Sequence, residues 1–297
     1  MANDQDLTHI FDAIESGKCL AFLGAGTSMA YKIGKKKVSG LPSGDDLAKL
    51  LTKKCGSLNG RVSDLARVAE YFVYCKNGDR TQLESILQKT IYHIREARPI
   101  HTVLAQLRQL KIVITSNYDN LLETELGKYG RIMSRDVYDQ QDPKTAHFKG
   151  SVFLDEGEVV LHKMHGSIDV PRSMIITQSD YIRYLANLTD QDLGMPDYFR
   201  VTMIPQHILL FLGYSLEDWN FRVIWEGVLA RYKNTGVSRK SYAIVKSSNK
   251  FQKSFWLQRN IEIIDNDLID FAKELAKHFN LEIPQLKIKM KLKGSNS

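Results

Sequence analysis

The sequence predicts an α/β fold in which a parallel sheet carries helices on both faces. Three stretches, at 19–23, 112–114 and 206–212, contain unbroken apolar runs, which are typical of strands buried on both sides. Segments with apolar residues at helical spacing alternate with these strands. This alternation predicts a Rossmann-like parallel sheet.

The N-terminal part begins with a predicted helix over 6–16, followed by the buried strand 19–23. That strand ends at the glycine segment 24–26. From there to Gly40 we expect a long polar loop, which contains the three consecutive lysines 35–37.

A helical insertion is predicted between the first and second strands of the sheet. Apolar residues recur at helical spacing from about 43 to 98, and this segment is too long for an ordinary crossover connection. We expect a small helical module that packs over the edge of the sheet. The clearest repeat consists of Leu83, Ile86, Leu87, Ile91 and Ile94.

The rest of the chain alternates strands and helices. Pro99 suits the first turn of a helix, and the weakly patterned stretch 130–157 is expected to hold loops and short strands. The predicted helices cover 100–110, 216–230, 249–259 and 267–279, and the predicted strands and apolar runs cover 112–114, 159–161, 206–212, 242–245 and 261–264. We expect one domain over 1–297, with a core at about 6–42 and 99–280, the helical insertion at about 43–98 and a basic tail at 281–297.

The composition is that of a globular protein, with 43% hydrophobic and 25% charged residues. No apolar run reaches the roughly 20 residues of a membrane helix, and the first residues are polar, so we expect a cytoplasmic protein without a membrane span or signal peptide. The three cysteines are scattered, which fits a reducing compartment. No Cys-x-x-Cys pair is present, so we expect no zinc module and no metal.

The formal net charge of +7 comes partly from the lysines at 35–37 and from the basic tail. Aromatic residues are not interleaved with these basic residues, as a groove for single-stranded nucleic acid would need. We therefore expect solvated basic surfaces rather than direct nucleic-acid binding, although an anionic ligand with phosphates would also suit the charge.

The first strand ends in Gly24-Ala25-Gly26-Thr27-Ser28. Glycines at a strand end let the backbone approach a pyrophosphate, and exposed N–H groups there can bind its oxygens. The alternative is a simple tight turn, since the third glycine and the immediate helix of the dinucleotide fingerprint are missing.

The second strand ends in Thr115-Ser116-Asn117-Tyr118-Asp119. The amide of Asn117 suits hydrogen bonds to ribose hydroxyls or to a water molecule. Asp119 is also placed to cap the following helix, but capping accounts for neither Thr115 nor Asn117.

Two further motifs follow later strands. His165 precedes Gly166, and its ordinary pKa near 6.5 suits a general base at neutral pH; His162 is its competitor. Gly213-Tyr214-Ser215 follows the third strand, and Ser215 with Asp218 matches a capping box at a helix N-terminus, which can also bind anions.

Together, in this order and spacing, the four motifs resemble those of the sirtuin superfamily, which uses them to hold NAD. The resemblance covers roughly residues 17 to 250. It implies that Asn117, His165 and Asp119 are catalytic. It also implies that phosphates and ribose are held by Gly24, Ala25, Gly26, Ser28, Thr115, Gly213 and Ser215.

The departures from the superfamily narrow this expectation. Protein-deacylating sirtuins carry two Cys-x-x-Cys pairs, and a Gly-Ile-Pro-Asp-Phe-Arg type segment follows their first motif. This chain has no such pairs, and its Gly40-Leu41-Pro42-Ser43-Gly44-Asp45 lacks the arginine. The Gly-Leu-Pro-Ser form is similar to sirtuin-like domains of bacterial antiphage defence, which hydrolyse NAD.

The resemblance therefore implies an NAD hydrolase that depletes NAD when activated. Little length is left for a fused sensor, so we expect activation by homo-oligomer assembly or by a separate partner such as a HerA-like ATPase. The alternatives are an NAD-dependent protein deacylase or ADP-ribosyltransferase, and a non-catalytic module that binds NAD or ADP-ribose.

Overall fold

The computed structural model describes most of the chain. The described residues are 4–33, 36–55, 64–75, 79–94, 96–142, 157–189, 203–216, 221–222, 225–226, 240–284 and 286.

A seven-stranded sheet forms the centre of the fold, and every strand pairing in it is parallel. Its order is β5-β6-β4-β1-β7-β8-β9, which confirms the predicted parallel α/β sheet. The strands are β1 (Cys19–Leu23), β4 (Ile112–Thr115), β5 (Ile132–Val137), β6 (Glu158–Lys163), β7 (Ile208–Leu212), β8 (Ser241–Val245) and β9 (Ile261–Asp265).

The direction of strand addition reverses next to β1. Along the chain, the next strand of this sheet after β1 is β4, which pairs with one side of β1. The later strand β7 pairs with the other side. In open parallel sheets, ligands bind outside the carboxyl ends of the strands at such a reversal. The fold therefore places the loops after β1 and β7 at the centre of the expected site.

Helices cover both faces of the sheet, as predicted. One face packs against α1 (Asp4–Glu15), α5 (Pro99–Gln106), α6 (Leu121–Lys128) and α10 (Leu268–His278), and the other against α7 (Gln178–Thr189), α8 (Ile204–Gln206) and α9 (Lys250–Leu257). Each face has its own apolar core, so burial of the strands on both sides explains their unbroken apolar sequences.

Three helices occupy the predicted insertion: α2 (Gly44–Cys55), α3 (Leu65–Cys75) and α4 (Arg80–Ile91). They enclose a third apolar core, which includes Leu51, Phe72 and Leu87. Residues Met174 and Ile176, from the segment that leads into α7, complete this core. The helical insertion is therefore packed directly against a segment that borders the edge of the sheet.

The prediction of a polar loop between the glycine segment and Gly40 is wrong. A β-hairpin occupies this region, with β2 (Tyr31–Ile33) antiparallel to β3 (Lys36–Val38), and a bridge from Met29 to Leu41 closes its base. Lys36 and Lys37 therefore lie in a strand rather than a loop. The apolar Tyr31 and Val38 face each other across the pair, which favours the hairpin despite the lysines.

Other predictions differ from the structure at their ends or fall outside the described residues. The helix expected over 100–110 ends at Gln106, because Leu107 leaves the helical conformation. Most of the helix predicted over 216–230, and most of the basic tail, lie outside the described residues. Within the described part, no helix combines the length and apolar character needed to cross a bilayer.

Candidate active site

A cleft of about 1590 Å³ runs along the carboxyl edge of the sheet. It exceeds the roughly 300–1,000 Å³ typical of small-molecule pockets and so has room for an extended ligand. The predicted site residues that border it are Ala25, Gly26, Ser28, Asn117, Asp119, His165, Gly213 and Ser215. Gly24 and Thr115 lie behind them. Ser215 is exposed, and Asp218, its predicted capping partner, lies outside the described residues.

Residues Gly24 to Ser28 form the glycine turn, a single 3-10 turn over Ala25–Thr27 with Gly24 and Ser28 at its ends. The N–H of Gly24 donates to the carbonyl of Leu212 at 2.9 Å, and the N–H of Gly26 donates to that of Gly213 at 2.8 Å. The N–H groups of Thr27 and Ser28 donate back into the turn. The expectation that the glycine N–H groups are exposed for a pyrophosphate is therefore wrong.

The glycines are instead required by the approach of two loops. A Cβ atom on Gly26 would lie 2.8 Å from the carbonyl oxygen of Gly213. A Cβ atom on Gly213 would lie 2.4 Å from the backbone nitrogen of Thr27, and the φ of Gly213 is +72°. The loops after β1 and β7 interlock at the strand reversal because neither glycine carries a side chain.

Gly213→Ala is therefore expected to lower the free energy of unfolding by about 3 kcal/mol, from left-handed backbone strain and overpacking together. Urea unfolding at neutral pH would measure this loss. The matched control is Gly127→Ala in α6, where a Cβ meets nothing within 4 Å. The control should be neutral or stabilising, and an equal loss in both variants would contradict the steric explanation.

Asn117 links the motif after β4 to the glycine turn after β1. Its Nδ2 donates to the carbonyl of Gly24 at 3.1 Å, to Thr27 Oγ1 at 3.0 Å and to Ser28 Oγ at 3.3 Å. Because the Gly24 carbonyl only accepts, the amide orientation is fixed. Its Oδ1 has no hydrogen-bond partner among the described residues and is left as an acceptor at the cleft.

Thr115 supports Asn117 from behind. Its Oγ1 donates to the carbonyl of Leu23 at 3.0 Å and accepts the N–H of Asn117 at 3.0 Å. Thr115 thus sets the backbone from which the amide of Asn117 extends, and its hydroxyl is buried behind the cleft wall.

Asp119 is buried, and both of its carboxylate oxygens are used within the chain. Oδ2 accepts from Ser28 Oγ at 2.9 Å, and Oδ1 accepts from the N–H of Leu121 at 3.0 Å. The second contact satisfies the N–H of Leu121, the first residue of α6, although the N-cap position is Asn120 rather than Asp119. The first contact holds the glycine turn, so Asp119 joins α6, the Asn117 loop and the glycine turn.

His165 borders the cleft with its ring between two tyrosines. Its centroid lies 5.5 Å from that of Tyr181 and 5.2 Å from that of Tyr184, both edge to face. Burial, with a smaller contribution from His162, lowers the pKa of His165 to about 3, so the ring is neutral at physiological pH. His162 instead contacts Asp136 at 2.6 Å and does not border the cleft, so the structure separates the two candidates.

Acid is expected to weaken the fold through two buried histidines. Burial lowers the pKa of His101 to about 4, as it lowers that of His165 to about 3. Both values lie below the unfolded value near 6.5, so their stabilisation is complete above pH 6.5 and is lost as the pH falls towards them. At pH 5 each histidine should cost about 2 kcal/mol relative to pH 8.

Urea unfolding at several pH values would measure this loss. His101→Gln should remove about half of the histidine contribution to the slope between pH 5 and 6.5. Equal slopes for the wild type and His101→Gln would contradict the assignment.

Several cleft residues were missed by sequence reasoning. Tyr118 donates its hydroxyl to the carbonyl of Ile175, and Tyr181 covers one side of His165. Arg98 and Tyr31 border the cleft near the glycine turn. The only sequence signal for Arg98 is its position before Pro99, which predicts a helix start rather than a ligand.

Among the described residues, no group of three or more His, Cys, Asp or Glu side chains is placed to hold a metal ion.

Several known proteins are similar to this chain in sequence. A family model of the SIR2-like domain matches residues 111–264. The NAD(+) hydrolase ThsA of Enterococcus faecium is 28% identical over 216 residues, which cover 72% of this chain and 40% of that protein. Defense-associated sirtuin 2 of Bacillus subtilis is 23% identical over 273 residues, which cover 89% of this chain and 23% of that protein.

The chain spans less than half the length of these relatives. Among solved structures, a Sir2–p53 peptide–NAD+ complex aligns with 94% of this chain and 99% of its own at 12% identity, with a TM-score of 0.46.

Proposed function

We propose, from the premise that this chain belongs to the SIR2-like domain family, that it cleaves NAD into nicotinamide and ADP-ribose. The observation that carries the proposal is the meeting of Asn117, the glycine turn and His165 in one cleft at the strand reversal. Relatives that match most of this chain and are named NAD(+) hydrolases support the same reaction.

In this proposal the bond that breaks joins the nicotinamide nitrogen to C1′ of the ribose. Nicotinamide leaves with the bonding electron pair and becomes neutral, so no proton has to be donated to it. The ribose develops oxocarbenium character, as in glycoside hydrolysis. Water then bonds to C1′ and loses a proton, which gives ADP-ribose.

Asn117 orients the reacting ribose or the attacking water. Its Nδ2 is held by three acceptors of the glycine turn, so its Oδ1 is presented to the cleft in a fixed position. A fixed acceptor stabilises a hydroxyl or a water without reorganising during the reaction. Asp119 acts as a positioning residue through Ser28.

His165 accepts a proton from the water or from a ribose hydroxyl. Its ring nitrogens make no hydrogen bond among the described residues, so they are available to a ligand. Because the imidazole is neutral at physiological pH, it is in the accepting form without prior deprotonation. Its low pKa makes it a weak base, so the proton moves late, after the leaving group has departed.

The other predicted site residues have supporting roles in this proposal. Ala25, Gly26, Ser28, Gly213 and Ser215 contact the phosphates and ribose from the cleft wall. Gly24 and Thr115 act from behind through Asn117. The division into a sheet core and the helical insertion remains our proposal for the domain organisation.

We further propose that the protein is a cytoplasmic effector of antiphage defence that depletes NAD when it is activated. The name of the B. subtilis relative supports a defence role. A permanently active NADase would harm its own cell, so activity is gated by homo-oligomer assembly or by a partner such as a HerA-like ATPase. NAD cleavage that rises with the oligomer fraction, followed by light scattering, would support gating by self-assembly.

The direct test is chromatography of NAD after incubation with purified protein, alone and with an acetylated peptide. Equal amounts of nicotinamide and ADP-ribose, whether or not peptide is present, are expected. O-acetyl-ADP-ribose formed with peptide would favour the deacylase alternative. Thermal stabilisation by NAD without turnover, in the oligomeric protein, would favour the binding-module alternative.

A further inference from the structure

We propose that Arg98, Tyr31 and the lysine pair Lys32 and Lys37 form an anion site that takes the diphosphate of the substrate. This inference rests on the proposed function for the identity of the ligand. It is motivated by the glycine turn, whose N–H groups at Gly24, Gly26, Thr27 and Ser28 are already used within the chain.

The Arg98 side chain extends from the start of α5 to the segment that follows the glycine turn. Nε donates to the carbonyl of Met29 at 3.1 Å, Nη2 to that of Ser28 at 3.4 Å and Nη1 to that of Glu96 at 2.8 Å. A guanidinium has five N–H donors, so two are left after these three bonds. A planar group with spare donors, fixed by three carbonyls, is well suited to phosphate oxygens.

The charge of Arg98 lacks a direct counter-charge. The residue is 3% exposed, and among the described residues no carboxylate lies within ion-pair distance of it. Burial lowers its pKa, although Tyr31, Glu96 and Asp119 oppose that change. A buried cation without a paired anion is costly, and an anion bound at the cleft would offset this cost.

Tyr31 supplies a second donor. Its ring lies under the guanidinium of Arg98, with 5.3 Å from the guanidinium carbon to the ring centroid. Its hydroxyl is buried and has no hydrogen-bond partner among the described residues, although Tyr31 borders the cleft. Buried hydroxyls are normally hydrogen-bonded, so an unpartnered one beside a cation indicates a missing acceptor.

The hairpin adds two further positive charges. Lys32 and Lys37 lie directly opposite each other on β2 and β3, and both are exposed and border the cleft. Like charges in this arrangement destabilise a strand pair. Neither lysine has an ion pair in the described part of the chain. Hydrogen bonds from Ser43, with a smaller contribution from Lys37, lower the pKa of Asp46, whose carboxylate accepts from Ser43 Oγ at 2.7 Å.

The hydrogen bonds of Arg98 would also be explained by a purely structural role, in which the side chain only stabilises the base of the hairpin. The two roles differ in what they predict for a ligand that carries a diphosphate. A fastening role predicts loss of stability in Arg98 variants and no specific effect of the lysines. An anion site predicts that both Arg98 and the lysine pair contribute to diphosphate affinity.

The test is titration calorimetry of ADP-ribose, which carries the diphosphate but no cleavable nicotinamide. R98Q is expected to raise Kd by about tenfold to a hundredfold, as for a lost charged hydrogen bond, and R98K by less. The double variant K32Q/K37Q is expected to raise Kd by about threefold to tenfold and to weaken the salt dependence of binding. The matched control is K54Q/K89Q, which removes two exposed lysines away from the cleft.

The side chains of Lys32 and Lys37 form no ion pair in the described part of the chain. The inference is therefore overturned if K32Q/K37Q binds ADP-ribose as tightly as K54Q/K89Q. It is also overturned if R98Q unfolds cooperatively, like the wild type, and binds ADP-ribose within about twofold of it. Failure of the wild type to bind ADP-ribose overturns it as well.

These outcomes are separate from those of the proposed function. A wild type that binds ADP-ribose through Arg98 but releases no nicotinamide, as the assembled oligomer, supports the anion site and contradicts the NADase. Unchanged KM for NAD in R98Q and K32Q/K37Q contradicts the anion site and leaves the NADase intact.

Discussion

Asn117→Ala is expected to lower kcat for NAD cleavage by about a hundredfold to a thousandfold, the size of effect seen when a fixed polar group at a reacting centre is removed. The variant loses the Oδ1 acceptor at the cleft and also the three bonds that hold the glycine turn. Nicotinamide release under saturating NAD measures the change. Circular dichroism and urea unfolding establish that the variant is folded.

Two further variants separate these contributions. Asn117→Asp keeps an oxygen at the cleft but places a second oxygen against the carbonyl of Gly24, so it should be nearly as inactive as the alanine variant. Thr115→Val removes only the support behind Asn117 and should lose about tenfold, a smaller effect than removing the amide itself. Folded Asn117→Ala that cleaves NAD at the wild-type rate would refute the assignment.

His165→Ala is expected to lower kcat by about a hundredfold, the low end of the usual contribution of a positioned general base, because the buried imidazole is a weak base. The cause is loss of the proton acceptor, since the tyrosines beside the ring are held from α7 and remain in place. The control is His162→Gln. His162 lies in β6 and contacts Asp136 rather than the cleft, so this variant should affect stability more than kcat.

The pH dependence gives an independent readout for the same residue. Because burial lowers the pKa of His165 to about 3, the neutral ring persists through the range in which an ordinary histidine titrates. The wild-type profile of kcat/KM should therefore show no change near pH 6.5 that depends on His165. His165→Ala should leave the shape of the profile in this range unchanged. A change near pH 6.5 that is lost in His165→Ala would show that His165 is solvated and titrates normally in the free enzyme.

Much of the sheet could be predicted because its strands are buried on both sides. β1 and β7 are apolar at every position, and β4 is apolar up to its last residue, Thr115, so the local composition shows that these strands are buried. The hairpin could not be predicted in this way, since its short strands are interrupted by lysines. The sequence around β5 predicts only loops and short strands, because β5 is an edge strand in which most residues are partly or fully exposed.

The site was predictable as a set of positions but not as a set of contacts. Motif order correctly indicated that Asn117 and His165 lie at one cleft. The hydrogen bonds of the glycine turn depend on the loop around Gly213, far along the chain, so sequence gave no sign that its N–H groups are used. Arg98 lies 70 residues beyond Ser28, and only the tertiary fold places its cation there.

The interlock of Gly26 and Gly213 restricts how this sequence can evolve. Each missing Cβ would meet backbone atoms of the opposite loop, so no change of a neighbouring side chain can make room for it. Neither position therefore has a compensating substitution, and the double variant Gly26→Ala/Gly213→Ala should be no less damaging than the worse single variant. In homologues that retain this cleft, we therefore expect both glycines to be kept.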